Sequence, residues 1–437
     1  MTAAQRAQVA VVGGGPAGSA TACLLARAGV DVLLVDRAQF PRDKPCAEYL
    51  SPQAARILHQ MGVLEKLELS GGAQLTGMDI RAPNGSIIRG EFVARHGFRG
   101  FRDRGLALRR TILDATLLEA ARAAGARVLE RTQVRDLLRD GRGRVIGLAA
   151  LSRDGHPVDY HADLVVGADG LRSVVGRRAG LIRVGRHPHR VALVTHYEGV
   201  DGMTTHGEMH VAPRGRGYLG LAPVGGGLVN VAVVVPTARK DEIRGHALRF
   251  LQVWIDALPH LATRFANARP QGSVLAVGPF NSRASVAWQP GLALVGDAAD
   301  FYDPFTGEGI YAALRGGELL SLYATEAVRA TNARSADIAL AAYDRARKHE
   351  FSGKWRVERL IGLAVEYPAL LNRVARSLHA QPDMADLLVG VAGDFVPPRQ
   401  VLRLPFLLRL FLGGRGTASP GATPSEHPAA TVTPHSS

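Results

Sequence analysis

A single β-α-β signature at the start of the chain constrains its fold more than any other feature. Residues 9–12 (VAVV) form an uninterrupted apolar run, the pattern of a strand buried on both faces. Gly13, Gly15 and Gly18 follow in G-x-G-x-x-G spacing, with Pro16 and Ala17 between the last two. Residues 19–28 are small and apolar, suited to a helix packed closely on a sheet, and Gly29 stops that helix. Residues 30–35 read as a second strand, which ends in Asp36. In such a unit Gly13 permits the tight turn, Gly15 lets backbone approach a pyrophosphate, and Gly18 lets helix and strand touch. The helix N-terminus turns free N–H groups and a positive dipole end toward the phosphates. Asp36 lies 18 residues after Gly18 (36 − 18), about where a carboxylate accepts bonds from ribose hydroxyls. The fingerprint therefore implies an adenine dinucleotide; NAD, NADP and FAD all use it.

At 437 residues the chain exceeds one ordinary core, which implies two intimately joined domains. Its 53 basic and 39 acidic residues leave a charge of +14, but the arginines are scattered and no basic run is interleaved with aromatics. No nucleic-acid partner is expected on that pattern. Attraction to an anionic membrane or anionic substrate stays open. Two cysteines, Cys23 and Cys46, exclude a disulfide framework and a cysteine-rich zinc site, and no metal is expected. Residues 1–8 are too short and polar for a secretion signal, and no run of 18 residues is continuously apolar. A cytoplasmic protein is expected, with a possible membrane contact through residues 395–412 (FVPPRQVLRLPFLLRLFL), where leucines alternate with arginines.

Further along, residues 53–69 read as a helix, Asn84-Gly85 as a hairpin turn, and residues 110–124 as an amphipathic helix. Residues 126–138 and 144–152 read as strands, and residues 164–166 as a short strand ending in Gly167-Ala168-Asp169-Gly170. Between residues 189 and 235 alternation and β-branching replace helical spacing, the mark of an antiparallel sheet. Residues 242–265 return to helix with a break near Pro259. Residues 292–296 form another buried strand, leading into Asp297; a long helix starts near Gly307, and residues 337–380 are mostly helical. The Gly-, Pro- and Ser-rich tail at 413–437 cannot bury a core and is expected to be disordered.

Three loops thus follow strand ends: the fingerprint, Gly167–Ser173 (GADGLRS) and residues 294–299 (LVGDAA). In open α/β sheets ligands bind beyond the carboxyl ends of strands, so the three belong on one face. This ordered set resembles that of the FAD-dependent oxidoreductases and hydroxylases with the p-hydroxybenzoate hydroxylase fold. The resemblance implies an α/β protein: a Rossmann-like FAD-binding domain, an inserted mainly antiparallel β-sheet substrate domain, and a helical C-terminal region. The expected FAD-binding parts are 1–78, 106–184 and 286–335; the substrate domain is 79–105 and 185–285. Residues 336–412 form the helical region, ahead of the tail at 413–437. It further implies that Gly13, Gly15, Pro16, Ala17, Gly18, Asp36 and Arg37 hold the ADP half of FAD. Arg110 would contact the cofactor's middle, and Val134 would flank the adenine through its backbone. Asp169 belongs to a motif associated with both FAD and NAD(P)H, and Gly296 with Asp297 would hold the ribityl-pyrophosphate region. The loop at 41–52 (PRDKPCAEYLSP) and the segment at 303–310 (DPFTGEGI) look like those of the geranylgeranyl reductase-like branch. That resemblance implies that Cys46, Ala47, Pro304, Gly307, Gly309 and Ile310 border the flavin. Ala47 departs from the glycine common in that branch. Asp300 and Tyr311 stand where aromatic hydroxylases carry histidine and asparagine, and no W-x-W-x-I-P segment of a flavin halogenase is present.

Independently of any family, two glycines at a helix start let N–H groups approach a ring edge. The dipole there would stabilise negative charge on a reduced flavin. Candidate catalytic groups are Cys46 and Tyr49, with His196, Tyr218 and Tyr302 as weaker ones; a lone His or Tyr in a strand is usually core. The expectation is an FAD-dependent oxidoreductase with NAD(P)H as transient reductant and a small apolar substrate. A double-bond reductase of the geranylgeranyl type, an oxygen-dependent monooxygenase, and an electron-carrying flavoprotein without a substrate of its own all fit. Substrate, hydride donor and oligomeric state stay open.

Overall fold

The structure, a computed structural model, describes residues 5–184, 190–213, 217–301 and 304–412. Tyr302, Asp303 and the tail expected to be disordered lie outside the described residues. The opening unit folds as its pattern requires: strand β1 (Arg6–Val12), helix α1 (Pro16–Arg27) and strand β2 (Val32–Val35). Gly13 sits at φ +106°, and a Cβ on Gly18 would overlap the carbonyl oxygen of Gly13, so both glycines are demanded by the turn. The hairpin β3 (Gly77–Arg81) and β4 (Ile87–Glu91) turns at Asn84-Gly85, where Ser86 N–H donates to Asn84 Oδ1 at 3.1 Å. There follow α2 (Arg110–Ala123), β5 (Arg127–Leu129), β6 (Gln133–Arg139), β7 (Val145–Leu151), β8 (Pro157–Gly167) and α3 (Val174–Arg178). The chain then builds β9 (Arg190–Glu198), β10 (His206–Val211), β11 (Tyr218–Gly225), β12 (Leu228–Pro236), α4 (Ala247–Asp256) and β13 (Arg269–Val277). It returns through β14 (Trp288–Gln289) and β15 (Leu292–Leu294). The C-terminal helices are α5 (Gly309–Arg329), α6 (Ala333–Glu366), α7 (Pro368–His379), α8 (Pro382–Ala392) and α9 (Leu404–Leu412).

The first sheet has the order β14-β15-β8-β1-β2-β5, with β7 and β6 extending it from β8. Its centre is parallel, from β15 through β8, β1 and β2 to β5. The loops after β1, β8 and β15 therefore emerge side by side, which places the three sequence motifs on one face. The second sheet, β13-β9-β12-β11-β10-β3-β4, is antiparallel except where β10 pairs with β3. Its strands alternate with period two. Ala192, Val194, Met209, Tyr218 and Val234 share one cluster, while Leu193, Leu219, Val231 and Val233 pack on Leu251, Trp254 and Ile255 of α4.

Four elements differ from the sequence expectation, one of them the helix at 242–265, which Gly245 at φ +76° breaks a second time, between Lys240–Ile243 and Ala247–Asp256. The helix at 53–69 is two short ones, Ala54–Gln60 and Leu64–Glu68, because Gly62 turns the chain at φ +69°. The strand at 126–138 is interrupted at Arg131, with φ +55°. The short strand at 164–166 is the end of an 11-residue β8, whose first half pairs with β7 and whose second half pairs with β1. Its polar first half hid it, since that half lies at the sheet's margin. Among the described residues no helix is long and apolar enough to cross a membrane.

Candidate active site

At the end of β1 the fingerprint makes an open cradle. A Cβ on Gly15 would meet only Arg42 Nη2, at 3.7 Å, so the space in front of this residue is free. Gly15 caps α1 without a side-chain partner, leaving the first N–H groups of the helix for an anion. Asp36 accepts from Gly14 N–H at 2.6 Å and from Ala38 N–H at 2.7 Å. It braces the glycine loop and retains lone pairs for further donors. Arg37 is exposed beside it, and Val134 is buried in β6. Asp169 spends its carboxylate on its own loop: Ser173 Oγ donates at 2.5 Å and Val174 N–H at 2.6 Å, which ties down the start of α3. It does not line the cavity described next.

A cavity of about 240 Å3 begins at Gly15, Pro16 and Ala17 and runs between the two sheets. Its near wall carries Lys44, Arg110 and Asp297. Arg110 forms a bidentate pair with Asp114 at 2.8 and 2.7 Å, and this pair keeps the guanidinium charged despite burial. Burial pushes the Asp297 carboxyl up, and the charges of Lys44 and Arg110 pull it part of the way back. Asp297 makes no hydrogen bond to another described residue, so a half-buried acceptor facing the cavity is left for a hydroxyl or N–H donor. Burial lowers the Lys44 ammonium.

Farther in, the cavity meets the N-terminus of α5. Gly307 lies at φ +71°, and a Cβ there would come within 3.1 Å of Tyr49 Cδ1; a Cβ on Gly309 would meet nothing nearer than 4.0 Å. Pro304, Gly307, Gly309 and Ile310 all line this part, with Gly296 behind them. Opposite stands the loop that bears Cys46, Ala47 and Tyr49. Tyr49 is 4 % exposed, and its hydroxyl has no hydrogen-bond partner among the described residues. Burial, with Glu308 adding to it, pushes the phenol well above its ordinary range, so Tyr49 holds its proton at neutral pH. The facing sheet is largely apolar, with Val194, Met209, Ala232 and Val234 beside Phe280 and Phe305, but Glu208 and Asn230 also line it, and α6 (Ala333–Glu366) adds Arg347, Lys354 and Glu358. Tyr218 sits edge-on to Phe305 at 4.9 Å, as part of that wall.

The residues that hold this geometry were largely invisible in the sequence. Glu48, 1 % exposed at φ +59°, anchors the Cys46 loop. Its Oε2 pairs with His196 Nε2 at 2.7 Å and accepts from Asn230 Nδ2 at 3.0 Å; its Oε1 accepts from Arg110 N–H at 2.9 Å. Asn230 also donates to the Cys46 carbonyl at 2.9 Å, and Cys46 Sγ accepts from Glu48 N–H at 3.3 Å. His196 therefore stands behind the loop as its support. Across the cavity α6 delivers Lys354, which pairs with Glu308 at 3.0 Å and with Asp394, over the Tyr311 ring at 4.5 Å. Arg347, also from α6, pairs with Asp300 and Asp344. No motif marks Lys354, and the loop motif at 41–52 contains Glu48 without showing its role; each matters through partners far away in sequence.

The glycine cradle, the unpartnered Asp297 and the open helix start of α5 along one continuous cavity match the phosphates, ribityl hydroxyls and ring edge of FAD. The site is that of an FAD-dependent oxidoreductase. Residues 6–348 match the family described as FAD binding domain, and the chain belongs to that family, with the p-hydroxybenzoate hydroxylase fold. It is 34 % identical to a menaquinone reductase of Mycolicibacterium smegmatis over 329 residues, which are 72 % of this chain and 75 % of the relative. It is 32 % identical over 327 residues to a digeranylgeranylglycerophospholipid reductase of Methanothrix thermoacetophila, covering 74 % of this chain and 78 % of that one. The solved structure of the myxobacterial chondrochloren halogenase CndH, a FAD-dependent halogenase, superposes with TM-score 0.74 at 25 % identity, over 81 % of this chain and 82 % of that one.

Proposed function

We propose that the protein reduces carbon–carbon double bonds in an apolar, isoprenoid-type substrate, with NAD(P)H supplying the hydride. The observation that carries this reading is the cavity's division into two chemistries. One wall is polar and suited to FAD, and the facing sheet is largely aliphatic and aromatic up to Phe280 and Phe305, with Glu208 and Asn230 as its polar members. That wall recognises a hydrocarbon by area alone, and each buried methylene contributes about 0.8 kcal/mol. The names of the two reductase relatives support the same substrate class. Bound FAD would supply hydride transfer.

The chain's own residues divide the remaining work. Gly15 and the α1 N-terminus would bind the pyrophosphate, Asp36 a ribose, and Asp297 the ribityl chain. The α5 start would hold negative charge at the ring edge. Tyr49 packs its ring edge against Gly307 and keeps its phenol protonated, a fixed neutral wall at this point. The Cys46 loop, fixed by Glu48, sets which face of the cavity is open to substrate. The test is anaerobic turnover with NADPH and a polyprenyl substrate, followed by product mass. A product heavier by two hydrogens, formed without oxygen, supports the reading. Loss of turnover without oxygen, with a product heavier by one oxygen atom when oxygen is admitted, would assign a monooxygenase instead.

A further inference from the structure

We propose that the C-terminal face docks on an anionic lipid bilayer. Helix α9 reads LPFLLRLFL. Leu410 is buried and Phe406 packs inward, yet Leu404, Leu408 and Phe411 remain 67 %, 46 % and 37 % exposed. The end of α6 does the same: Leu360, Leu363 and Tyr367 are 49 %, 46 % and 58 % exposed. Ile361 and Phe406 pack in one cluster, so the two exposed sets flank a common seam. Arg373 of α7 donates to the Phe411 carbonyl at 2.7 Å and fixes the far end of α9 against the body.

Arginines rim this strip. Arg399, Arg403 and Arg409 are exposed in the segment that carries α9, and Arg356 and Arg376 are exposed on α6 and α7; Glu366, beside Tyr367, is exposed as well. Arg399 and Arg403 form no ion pair with another described residue, while Arg409 pairs with Asp383 at 3.2 Å. Leucines flanked by guanidinium groups suit acidic headgroups above and acyl chains below. A second copy of the chain fits less well, because a two-fold contact would set the same arginines against one another. The strip also adjoins the active site. Lys354, Trp355 and Glu358 of α6 line the cavity, and Leu363 lies five residues (363 − 358), roughly 7.5 Å along the helix axis, beyond Glu358. A hydrocarbon dissolved in the bilayer would then enter the cavity with little passage through water. This last point rests on the proposed substrate class; the docking does not.

Vesicle sedimentation of the full-length flavoprotein, without substrate, tests it. The vesicles are phosphatidylcholine alone and phosphatidylcholine mixed with phosphatidylglycerol. We expect co-sedimentation with the anionic vesicles that weakens with salt. Leu404→Glu with Leu408→Glu should lower the partition coefficient about tenfold, and Arg399→Ala with Arg403→Ala should lower it severalfold, both with flavin absorbance unchanged. Failure of the wild type to bind either vesicle overturns the proposal, as does equal binding by the variants. A concentration-dependent dimer that Leu404→Glu dissociates would overturn it in favour of a second copy. Because no turnover is measured, failure of the reductase reading leaves this result unaffected.

Discussion

Lys354 Nζ lies 3.0 Å from Glu308 Oε2, with both side chains nearly sealed from solvent at 12 % and 6 % exposure. A helix from the C-terminal region thus places its charge on the residue that caps the helix facing the flavin position. Burial raises the Glu308 carboxyl, and Lys354 offsets part of the rise. Removing one partner of a buried pair strands the other charge, which costs about 3–5 kcal/mol. Lys354→Met should lose stability of that order in urea unfolding. Adding Glu308→Gln should recover more than 1 kcal/mol of it, by roughly the coupling expected for residues in contact. Additive losses would show that the pair is not coupled.

Gly15 and Gly18 should respond in opposite ways to the same methyl group. A Cβ on Gly15 enters open space, whereas one on Gly18 overlaps the Gly13 carbonyl. Gly15→Ala should leave the apoprotein's Tm nearly unchanged and weaken FAD binding about tenfold or more, as expected where backbone must approach a pyrophosphate. Gly18→Ala should destabilise the fold itself. Undiminished flavin content in purified Gly15→Ala would remove the cradle from the pyrophosphate's path.

Asp297 offers a trade of stability against binding. Its carboxyl is raised by burial, so ionisation at neutral pH costs the folded state. Asp297→Asn should stabilise the apoprotein by roughly 1 kcal/mol near pH 7 while reducing FAD affinity. The advantage should vanish as pH falls below the ordinary carboxylate range, where the wild-type group is protonated whether folded or not. Thermal melts of both apoproteins from about pH 3 to 8 measure this difference.

Glu48 should be the residue whose loss disorganises the Cys46 loop. Glu48→Ala leaves His196, Asn230 and the Arg110 N–H without their acceptor in a buried place. Unsatisfied buried groups cost about 1–3 kcal/mol each. Thermal unfolding should report a loss of several kcal/mol, and the loop should become a site of proteolysis at Lys44. Glu48→Gln, which keeps an acceptor at Oε1, should retain most of the stability.

The outer face of the second sheet carries an acid-sensitive network. Burial and the nearby His210 depress the His260 imidazole to about 4. Its folded pKa lies below its unfolded value, so the stability it contributes is present above about pH 6.5 and is lost as pH falls toward 4. Burial alone would raise the Glu208 carboxyl, but hydrogen bonds from His210 and Arg264 bring it down to about 2. Its contribution is lost at still lower pH. The urea midpoint of His260→Phe should fall less steeply than that of the wild type between pH 6.5 and 4.

The nucleotide-binding half was legible in the sequence because its signals are local. The turn at Gly13–Gly18, the acid at Asp36 and the strand-end loops at Asp169 and Asp297 each lie within one β-α unit. Such a unit needs particular residues at particular offsets whatever surrounds it. That reasoning reached the fold class, the FAD family and the helix start at Gly307–Gly309. Motif position did not settle how each residue is used: Asp169 serves its own loop, and His196 supports another loop. Only the tertiary structure decided what fixes the reacting end. Glu48 meets His196 across 148 residues of sequence, and Lys354 reaches Glu308 from a helix in the C-terminal region. Neither residue belongs to a repeating pattern, because a buried charge is specified by the partner that folding brings to it, and that partner can come from any distance along the chain.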